Sequence, residues 1–239
     1  MPPSLSLVLP AYHEAQRLPP YLALVQTHLA AHYPDRHEAI VVDDGGGDAL
    51  EAALAPLAAG WPQLRVIGHA ENQGKGAAVR TGMLAAAGDL LLFADADGAT
   101  PIEEEARLAA AIAAGADLAV GSRLLPGEGV RRERHWRRAA AGRLFAAVAR
   151  RALGLTVRDP QCGFKMFRRD VARRLFAEQR EPRFLFDLEL LVRAERLGCR
   201  VAEVPVCWHE VPGGHFHMFR SLPRVLAGLW RLRRLRKGG

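Results

Sequence analysis

The sequence predicts an α/β domain with a mostly parallel central sheet and helices on both faces. Three observations favour this class. Strand-like apolar runs alternate with helix-like stretches through the first 120 residues. Polar or charged residues follow most of these strands, at the edge where parallel sheets place their ligands. The 239 residues, 49% of them hydrophobic, are enough for one large globular domain and exclude a disordered, collagen-like or disulfide-scaffold protein.

Five strands and four helices are predicted in the first half, in alternation. Each strand is a short apolar run that ends near proline, glycine or acidic residues, which are typical of turns. The predicted strands are Ser4–Leu9, Glu38–Val42, Leu64–Ile67, Asp89–Phe93 and Asp117–Val120. The predicted helices are Leu18–His32, Ala49–Ala59, Gly76–Ala87 and Ile102–Gly115.

The second half is predicted to be more helical. Between Gly127 and Arg158, arginines are interspersed among apolar residues, a pattern typical of one or two amphipathic helices on a surface. Strands follow at Gly163–Arg168 and Val201–Trp208, and helices at Asp170–Ala177, Phe186–Leu197 and Leu222–Lys237.

Charge is distributed unevenly between the halves. Residues 1–120 carry six basic and fifteen acidic residues, for a net charge of −9, whereas residues 121–239 carry 27 and eleven, for +16. This polarity indicates two differently charged partners. The overall charge of +7 raises nucleic-acid binding as an alternative. We expect no nucleic-acid partner, because the acidic half would repel phosphates and no recognition motif is present.

The sequence favours a reduced, cytoplasmic protein. The three cysteines, Cys162, Cys199 and Cys207, form no CxxC pair. The first residues lack the pattern of a signal peptide, and no apolar run approaches the ~18 residues that a membrane span needs.

A metal site is predicted at Asp95 and Asp97, which directly follow the strand Asp89–Phe93. Two carboxylates one residue apart suit Mg²⁺ or Mn²⁺, which prefer oxygen ligands and keep positions open for phosphates. Lys75 lies between two glycines at a helix start, which is a plausible anion site. Together these residues predict a pocket for a nucleoside diphosphate, whose group is transferred to an acceptor.

Seven ordered blocks carry a family resemblance: Leu9–Glu14, Val42–Gly45, Asn72–Met83, Asp95–Thr100, Gly121–Arg123, Arg158–Lys165 and Phe186–Leu190. Through them the chain resembles the family-2 glycosyltransferases, and most of all the dolichyl-phosphate β-glucosyltransferases. The resemblance implies a GT-A fold and a UDP-sugar donor, UDP-glucose. Ala99 stands where the related mannosyl enzymes have a metal-binding Gln, which favours the glucosyl branch.

The resemblance also implies roles for individual residues. Asp95 and Asp97 would face the metal and the diphosphate. The nucleoside would be held by Pro10, Tyr12, Glu14, Asp43 and Asp44, with Ala11, Lys75 and Ala96 also in the donor site. Three positions depart from the family: Gly46 replaces a Ser, His13 an Asn, and His215 a Lys that would meet a phosphate.

The expected acceptor is a polyprenyl phosphate, which already carries a nucleophilic anion near pH 7 and needs no strong base. The residues expected at its phosphate are Arg123, Arg131, Arg134, Gln161 and Lys165. A soluble hydroxyl acceptor is the alternative, and Asp187 would then be the candidate base. A helix beginning at Phe186 places Asp187 and Glu189 on different faces. The candidates for a direct part in the reaction are Asp97, Arg123 and Asp187.

The chain is accordingly divided into a donor half (1–125), an acceptor half (126–215) and a basic terminal helix (216–239). The last helix mixes apolar residues with arginines, which predicts peripheral contact with an anionic membrane, at the inner face of the cell membrane. Packing on the domain with a solvated basic face is the alternative. The sequence predicts no oligomeric state.

Overall fold

The computed structural model describes residues 3–47, 49–133, 136–211 and 222–237. The strands are β1 (Leu5–Ala11), β2 (His37–Asp43), β3 (Leu64–Gly68), β4 (Leu90–Ala94), β5 (Leu118–Ser122), β6 (Arg132–Glu133), β7 (Phe164–Arg168), β8 (Val201–Pro205) and β9 (Trp208–His209). The helices are α1 (Leu18–His32), α2 (Leu50–Ala59), α3 (Lys75–Ala85), α4 (Glu105–Ala113), α5 (Trp136–Leu153), α6 (Arg169–Glu178), α7 (Phe186–Arg196) and α8 (Leu222–Lys237). The predicted alternation of strands and helices in the first half is confirmed.

Seven strands form one sheet in the order β3-β2-β1-β4-β7-β5-β8. All neighbouring pairs are parallel except those of β7, which runs antiparallel between β4 and β5. The mostly parallel sheet was predicted, but the place of β7 in it was not, because apolar patterning identifies a strand without identifying its neighbours. β7 and β8 join the donor and acceptor halves in one sheet. The predicted strand Val201–Trp208 is divided into β8 and β9, and β9 pairs with β6.

The two faces of the sheet bury separate apolar layers. Alternation along β1 sends Leu7 and Leu9 to one face and Val8 to the other. Residues of α1, α2 and α4 cover the first face, while α3 and α5 to α8 cover the second. Helices therefore lie on both faces, as predicted.

Pro10 does not end β1, which continues to Ala11. Pairing between β1 and β4 stops at Val8, so beyond that point β1 pairs only with β2. Proline is tolerated there because one side of the strand needs no ladder hydrogen bond. The extension carries the chain to the edge of the sheet where β2 ends at Asp43 and β4 at Ala94.

The terminal helix α8 packs on α5 and α7. It buries Val225, Leu229 and Leu232, and it leaves Leu226 and Trp230 more than half exposed. A Cβ atom at Gly228 would lie 2.3 Å from Leu185 Cδ1, so α8 closely approaches the residue that precedes α7. Among the described residues, no helix has the length and apolar character to cross a membrane.

Candidate active site

A cavity of about 440 Å³ opens where β1, β2 and β4 end and α3 begins. Its size is in the range of small-molecule sites. Nine of the predicted donor residues line it: Pro10, Ala11, Tyr12, Glu14, Asp44, Lys75, Asp95, Ala96 and Asp97. The structure therefore brings the separate strand ends into one site.

Asp43 is an exception, since it is not among the residues that line the cavity. Its Oδ1 accepts a hydrogen bond of 3.0 Å from the backbone N–H of Gly46. The carboxylate thus closes the turn after β2, and its expected contact with the nucleoside stays a prediction. Gly46, the position that departs from the family, donates this bond through its backbone and needs no side chain for it.

Asp44 shapes the wall of the cavity. Its buried carboxylate accepts the backbone N–H groups of Gln73, at 3.0 Å, and Gly74, at 2.8 Å. His69 Nδ1 lies 2.8 Å from Asp44 Oδ1. These bonds fix the loop that leads into α3, so Asp44 positions the wall of the site.

Asp95 and Asp97 both line the cavity, where the chain leaves β4. Burial and the neighbouring charge of Asp95 raise the pKa of Asp97 above its ordinary range. Two like charges in a partly dry site favour a bound cation, and hard carboxylate oxygens suit Mg²⁺ or Mn²⁺. No group of three or more metal-ligating side chains occurs among the residues the structure describes. Asp95 and Asp97 could supply two ligands to such a metal, and coordination positions would remain for phosphates.

Lys75 provides a positive charge beside these carboxylates. Its Nζ lies 2.5 Å from Asp95 Oδ1. Burial by itself would lower the pKa of Lys75, but the charges of Asp95, Asp187 and Asp97 raise it above its usual value. The ammonium therefore stays charged and partly neutralises the site.

Gly163 holds Asp95 from the other side. The backbone N–H of Asp95 donates to the Gly163 carbonyl oxygen at 3.0 Å. A Cβ atom at Gly163 would lie 2.2 Å from Asp95 Oδ2 and 2.3 Å from Oδ1. Only glycine leaves room for the carboxylate here, although its sequence block gave no sign of this contact.

Arg123 does not meet the expectation that it is available to an acceptor phosphate. Its Nε and Nη2 donate to Asp159 at 2.8 and 2.7 Å, and its backbone N–H donates to the same carboxylate at 2.9 Å. Burial would raise the pKa of Asp159, but the paired guanidinium holds it below its usual range. This pair anchors the loop that carries Gly163.

Lys165 and Asp187 form a buried pair, so neither is at the cavity surface. Lys165 is fully buried, and its Nζ donates to Asp187 Oδ1 at 2.5 Å and to the Cys162 carbonyl oxygen. Burial raises the pKa of Asp187 against the opposing effect of Lys165. Direct contact of Lys165 with an acceptor is therefore wrong for this structure, and Asp187 is not placed as a base.

The remaining acceptor candidates are dispersed. Arg131 is exposed beside β6 and does not line the cavity, and Arg134 and His215 lie outside the described residues. Gln161 Nε2 donates to the Phe184 carbonyl oxygen at 3.1 Å and so supports the segment before α7. As predicted, Glu189 points away from Asp187: it accepts backbone N–H groups from residues 180 and 181.

Sequence reasoning missed five polar, glycine or aromatic residues of the cavity wall: Arg17, Asn72, Gly74, Arg183 and Phe184. Asn72 and Gly74 belong to the block that predicted the anion site, in which Lys75 was the residue assigned to the donor. Arg17 is placed by its pair with Glu14, where Nε donates to Oε2 at 2.8 Å. Arg183 and Phe184 precede α7 and reach the cavity only through tertiary packing, so no local signal could have identified them.

Comparison with protein-family models shows which family this chain belongs to. Residues 6–176 match the Glycosyl transferase family 2, which is more than half of the sequence. The chain belongs to this family. The matched region runs from β1 into α6 and contains Asp95, Asp97, Lys75 and Gly163.

Two relatives show which members of glycosyl transferase family 2 the chain is similar to. It is 36% identical over 256 residues to a dolichyl-phosphate beta-glucosyltransferase of Drosophila melanogaster, covering 98% of this chain and 78% of the relative. It is also 36% identical over 244 residues to a dolichyl-phosphate beta-glucosyltransferase of Trichomonas vaginalis, covering 94% and 72%.

Solved structures confirm the predicted GT-A fold of this family-2 member. Glucosyl-3-phosphoglycerate synthase from Mycobacterium tuberculosis in complex with UDP superposes with a TM-score of 0.70 at 22% identity, covering 97% of this chain and 80% of that one. The same enzyme with Mn²⁺, UDP and glucosyl-3-phosphoglycerate gives a TM-score of 0.69 at 22% identity, covering 96% and 80%.

Substitution of Gly163 by Ala is expected to weaken Mn²⁺-dependent binding of UDP about tenfold, because the new Cβ displaces the Asp95 carboxylate. Calorimetric titration of UDP with and without Mn²⁺ measures this. Gly68→Ala is the matched control, since a Cβ there meets nothing within 4 Å. Equal affinities for the two variants would contradict the assigned contact.

Substitution of Asp159 by Asn is expected to lower the free energy of unfolding by about 3 kcal/mol at pH 7, because Arg123 loses the partner of a buried pair. The folded-state pKa of Asp159 lies below its unfolded value. The stabilisation is therefore complete above about pH 4 and is lost as the pH falls through the folded-state value. Urea unfolding at a series of pH values should show the difference between wild type and variant shrinking in acid.

Asp170→Asn is the control for this measurement, because it breaks an exposed pair with Arg168. It should change the free energy of unfolding by less than about 1 kcal/mol. A loss of unfolding free energy as large as that of Asp159→Asn would contradict the claim that the buried pair stabilises the fold more than the exposed pair does.

Proposed function

We propose that this protein transfers glucose from UDP-glucose to a polyprenyl phosphate of the dolichyl type. One observation carries the proposal: Asp95, Asp97 and Lys75 converge in a cavity at the ends of three parallel strands. Two carboxylates with a neighbouring cation suit a metal-bound diphosphate. Similarity to dolichyl-phosphate beta-glucosyltransferases supports the choice of sugar and acceptor.

Asp95 and Asp97 would hold Mg²⁺ or Mn²⁺, and the Mn²⁺ complex of a structural neighbour supports a divalent ion. When bound, the ion would act as a Lewis acid toward the departing diphosphate. Lys75 is placed to neutralise further negative charge on the donor phosphates. The wall made by Pro10, Tyr12 and the loop that Asp44 fixes would receive the nucleoside.

The acceptor phosphate would supply the nucleophile itself. One of its anionic oxygens attacks the anomeric carbon, the bond from that carbon to the diphosphate oxygen breaks, and the electron pair leaves with UDP. Attack opposite the leaving group inverts the configuration of the sugar. The task of the chain is then alignment and charge neutralisation.

The buried state of Asp187 supports a phosphate acceptor over an alcohol. An alcohol would need a general base within hydrogen-bond reach of its proton. Asp187, the only base suggested from the sequence, is 4% exposed and is bonded to Lys165. A phosphate monoester needs no such base, because it is already ionised.

Membrane contact through α8 is a further part of the proposal. The helix exposes Leu226 and Trp230, and Arg233 and Arg234 lie on exposed positions of the following turn. Each cation near an anionic bilayer contributes about 1 kcal/mol. The protein would then work as a peripheral enzyme at the surface that holds its lipid acceptor.

The transfer reaction is tested with UDP-glucose, Mn²⁺ and a short polyprenyl phosphate, with chromatographic detection of the glucosyl lipid. Asp97→Ala should lower the rate at least about a hundredfold, because charge neutralisation at the donor is lost. Glu51→Ala, an exposed change on α2, should leave the rate unchanged. Transfer to a water-soluble alcohol without any glucosyl lipid would contradict the proposal.

The surface role of α8 is tested by flotation of the full-length protein with vesicles that contain anionic lipid. The double variant Leu226→Ser and Trp230→Ser should lose most vesicle binding, and higher salt should weaken binding of the wild type. Leu24→Ser changes a residue of similar exposure on α1 and should bind normally. Unchanged flotation of the double variant would contradict the membrane role of this helix.

A further inference from the structure

The segment between α6 and α7, residues 179–185, closes one side of the cavity and is called the α6–α7 loop. It sits on the start of α3: the Ala77 N–H donates to the Pro182 carbonyl oxygen at 3.0 Å. A Cβ atom at Gly74 would lie 2.5 Å from the same oxygen. The loop is also held by Gln161, whose side chain donates to the Phe184 carbonyl oxygen. Its position relative to the cavity is therefore fixed by backbone contacts.

Arg183 brings a guanidinium from this loop to the cavity wall. The side chain is exposed, and it makes no hydrogen bond or ion pair with any residue that the structure describes. Other cations of the described chain near the site are engaged: Lys75 with Asp95, Arg17 with Glu14, Arg123 with Asp159 and Lys165 with Asp187. Arg183 is thus available for an anion that is not part of the protein.

Phe184 and Leu185 place apolar side chains next to Arg183 in the α6–α7 loop. Phe184 also lines the cavity and is 42% exposed. Leu185 then packs on Gly228 of α8, and Glu181 pairs with Arg231 at 2.8 Å. These contacts join the α6–α7 loop to the helix that exposes Leu226 and Trp230.

We propose that Arg183 binds the phosphate group of the acceptor and that Phe184 receives the first part of its apolar chain. The inference rests on the proposed function and assigns its acceptor site. A guanidinium can bind phosphate oxygens in bidentate fashion. The neighbouring apolar surface distinguishes the two possible anions, because a nucleotide diphosphate has no apolar chain to cover it, whereas a lipid phosphate does.

The test uses octyl phosphate below its micelle concentration as a probe that binds without any transfer reaction. Calorimetric titration compares octyl phosphate, methyl phosphate and UDP with Mn²⁺ on the full-length protein. Arg183→Met should weaken octyl phosphate binding about ten- to a hundredfold, the effect of losing a charge-assisted hydrogen bond. UDP binding should change less than about twofold. Arg174→Met, an exposed arginine change on α6, should alter neither affinity.

Phe184→Ser separates the apolar contribution from the charged one. It should weaken octyl phosphate and leave methyl phosphate unchanged, whereas Arg183→Met should weaken both. In a transfer assay, Phe184→Ser should also reduce the preference of the wild type for longer polyprenyl chains. A variant that had only lost its fold would weaken UDP as well.

Three results would overturn the inference: failure of the wild type to bind octyl phosphate, unchanged binding by Arg183→Met, or a larger loss of UDP than of octyl phosphate. The last result would assign Arg183 to the donor. If the wild type makes no glucosyl lipid but Arg183→Met and Phe184→Ser show the expected losses, the amphiphile site stands and the proposed reaction fails.

Discussion

The close approach of two carboxylates at the end of β4 is the constraint on which the rest of the site depends. Asp95 and Asp97 repel each other, and burial raises the pKa of Asp97 further above its ordinary range. Lys75 offsets part of that charge from the start of α3. Gly163 leaves space for Asp95 on the opposite side. A fold that holds two like charges in this way is suited to a bound dication and the phosphates that accompany it.

The structure shows where the acidic residues of the first half and the basic residues of the second half lie. Acidic residues of the first half collect at strand ends, where Asp95 and Asp97 line the cavity, Asp44 lines it and fixes a loop, and Asp43 closes a turn. Many basic residues of the second half are already paired within the protein, Arg123 with Asp159 and Arg236 with Glu195 among them. Exposed arginines of that half include Arg183 of the α6–α7 loop and Arg233 and Arg234 of α8.

The strand ends could be predicted from the sequence because their signals are local: a short apolar run followed by polar residues. Lys75 and Asp95 were predicted from such local signals, and both line the cavity. Three other features could not be predicted from the sequence, because each joins segments at least 36 residues apart. They are the antiparallel place of β7, the contact of Gly163 with Asp95 and the pairing of Arg123 with Asp159. For the same reason Arg183 was not predicted. The acceptor phosphate was assigned instead to residues such as Arg123 and Lys165, which are already paired within the protein.

The central claim is that Asp95 and Asp97 form a metal-assisted diphosphate site. Titration of UDP into the wild type and Asp97→Asn, each with and without Mn²⁺, tests it most directly. Mn²⁺ should tighten UDP binding to the wild type by at least about tenfold and have little effect on the variant. Equal UDP affinity of the wild type with and without Mn²⁺, or an equal Mn²⁺ effect in the variant, would contradict the claim.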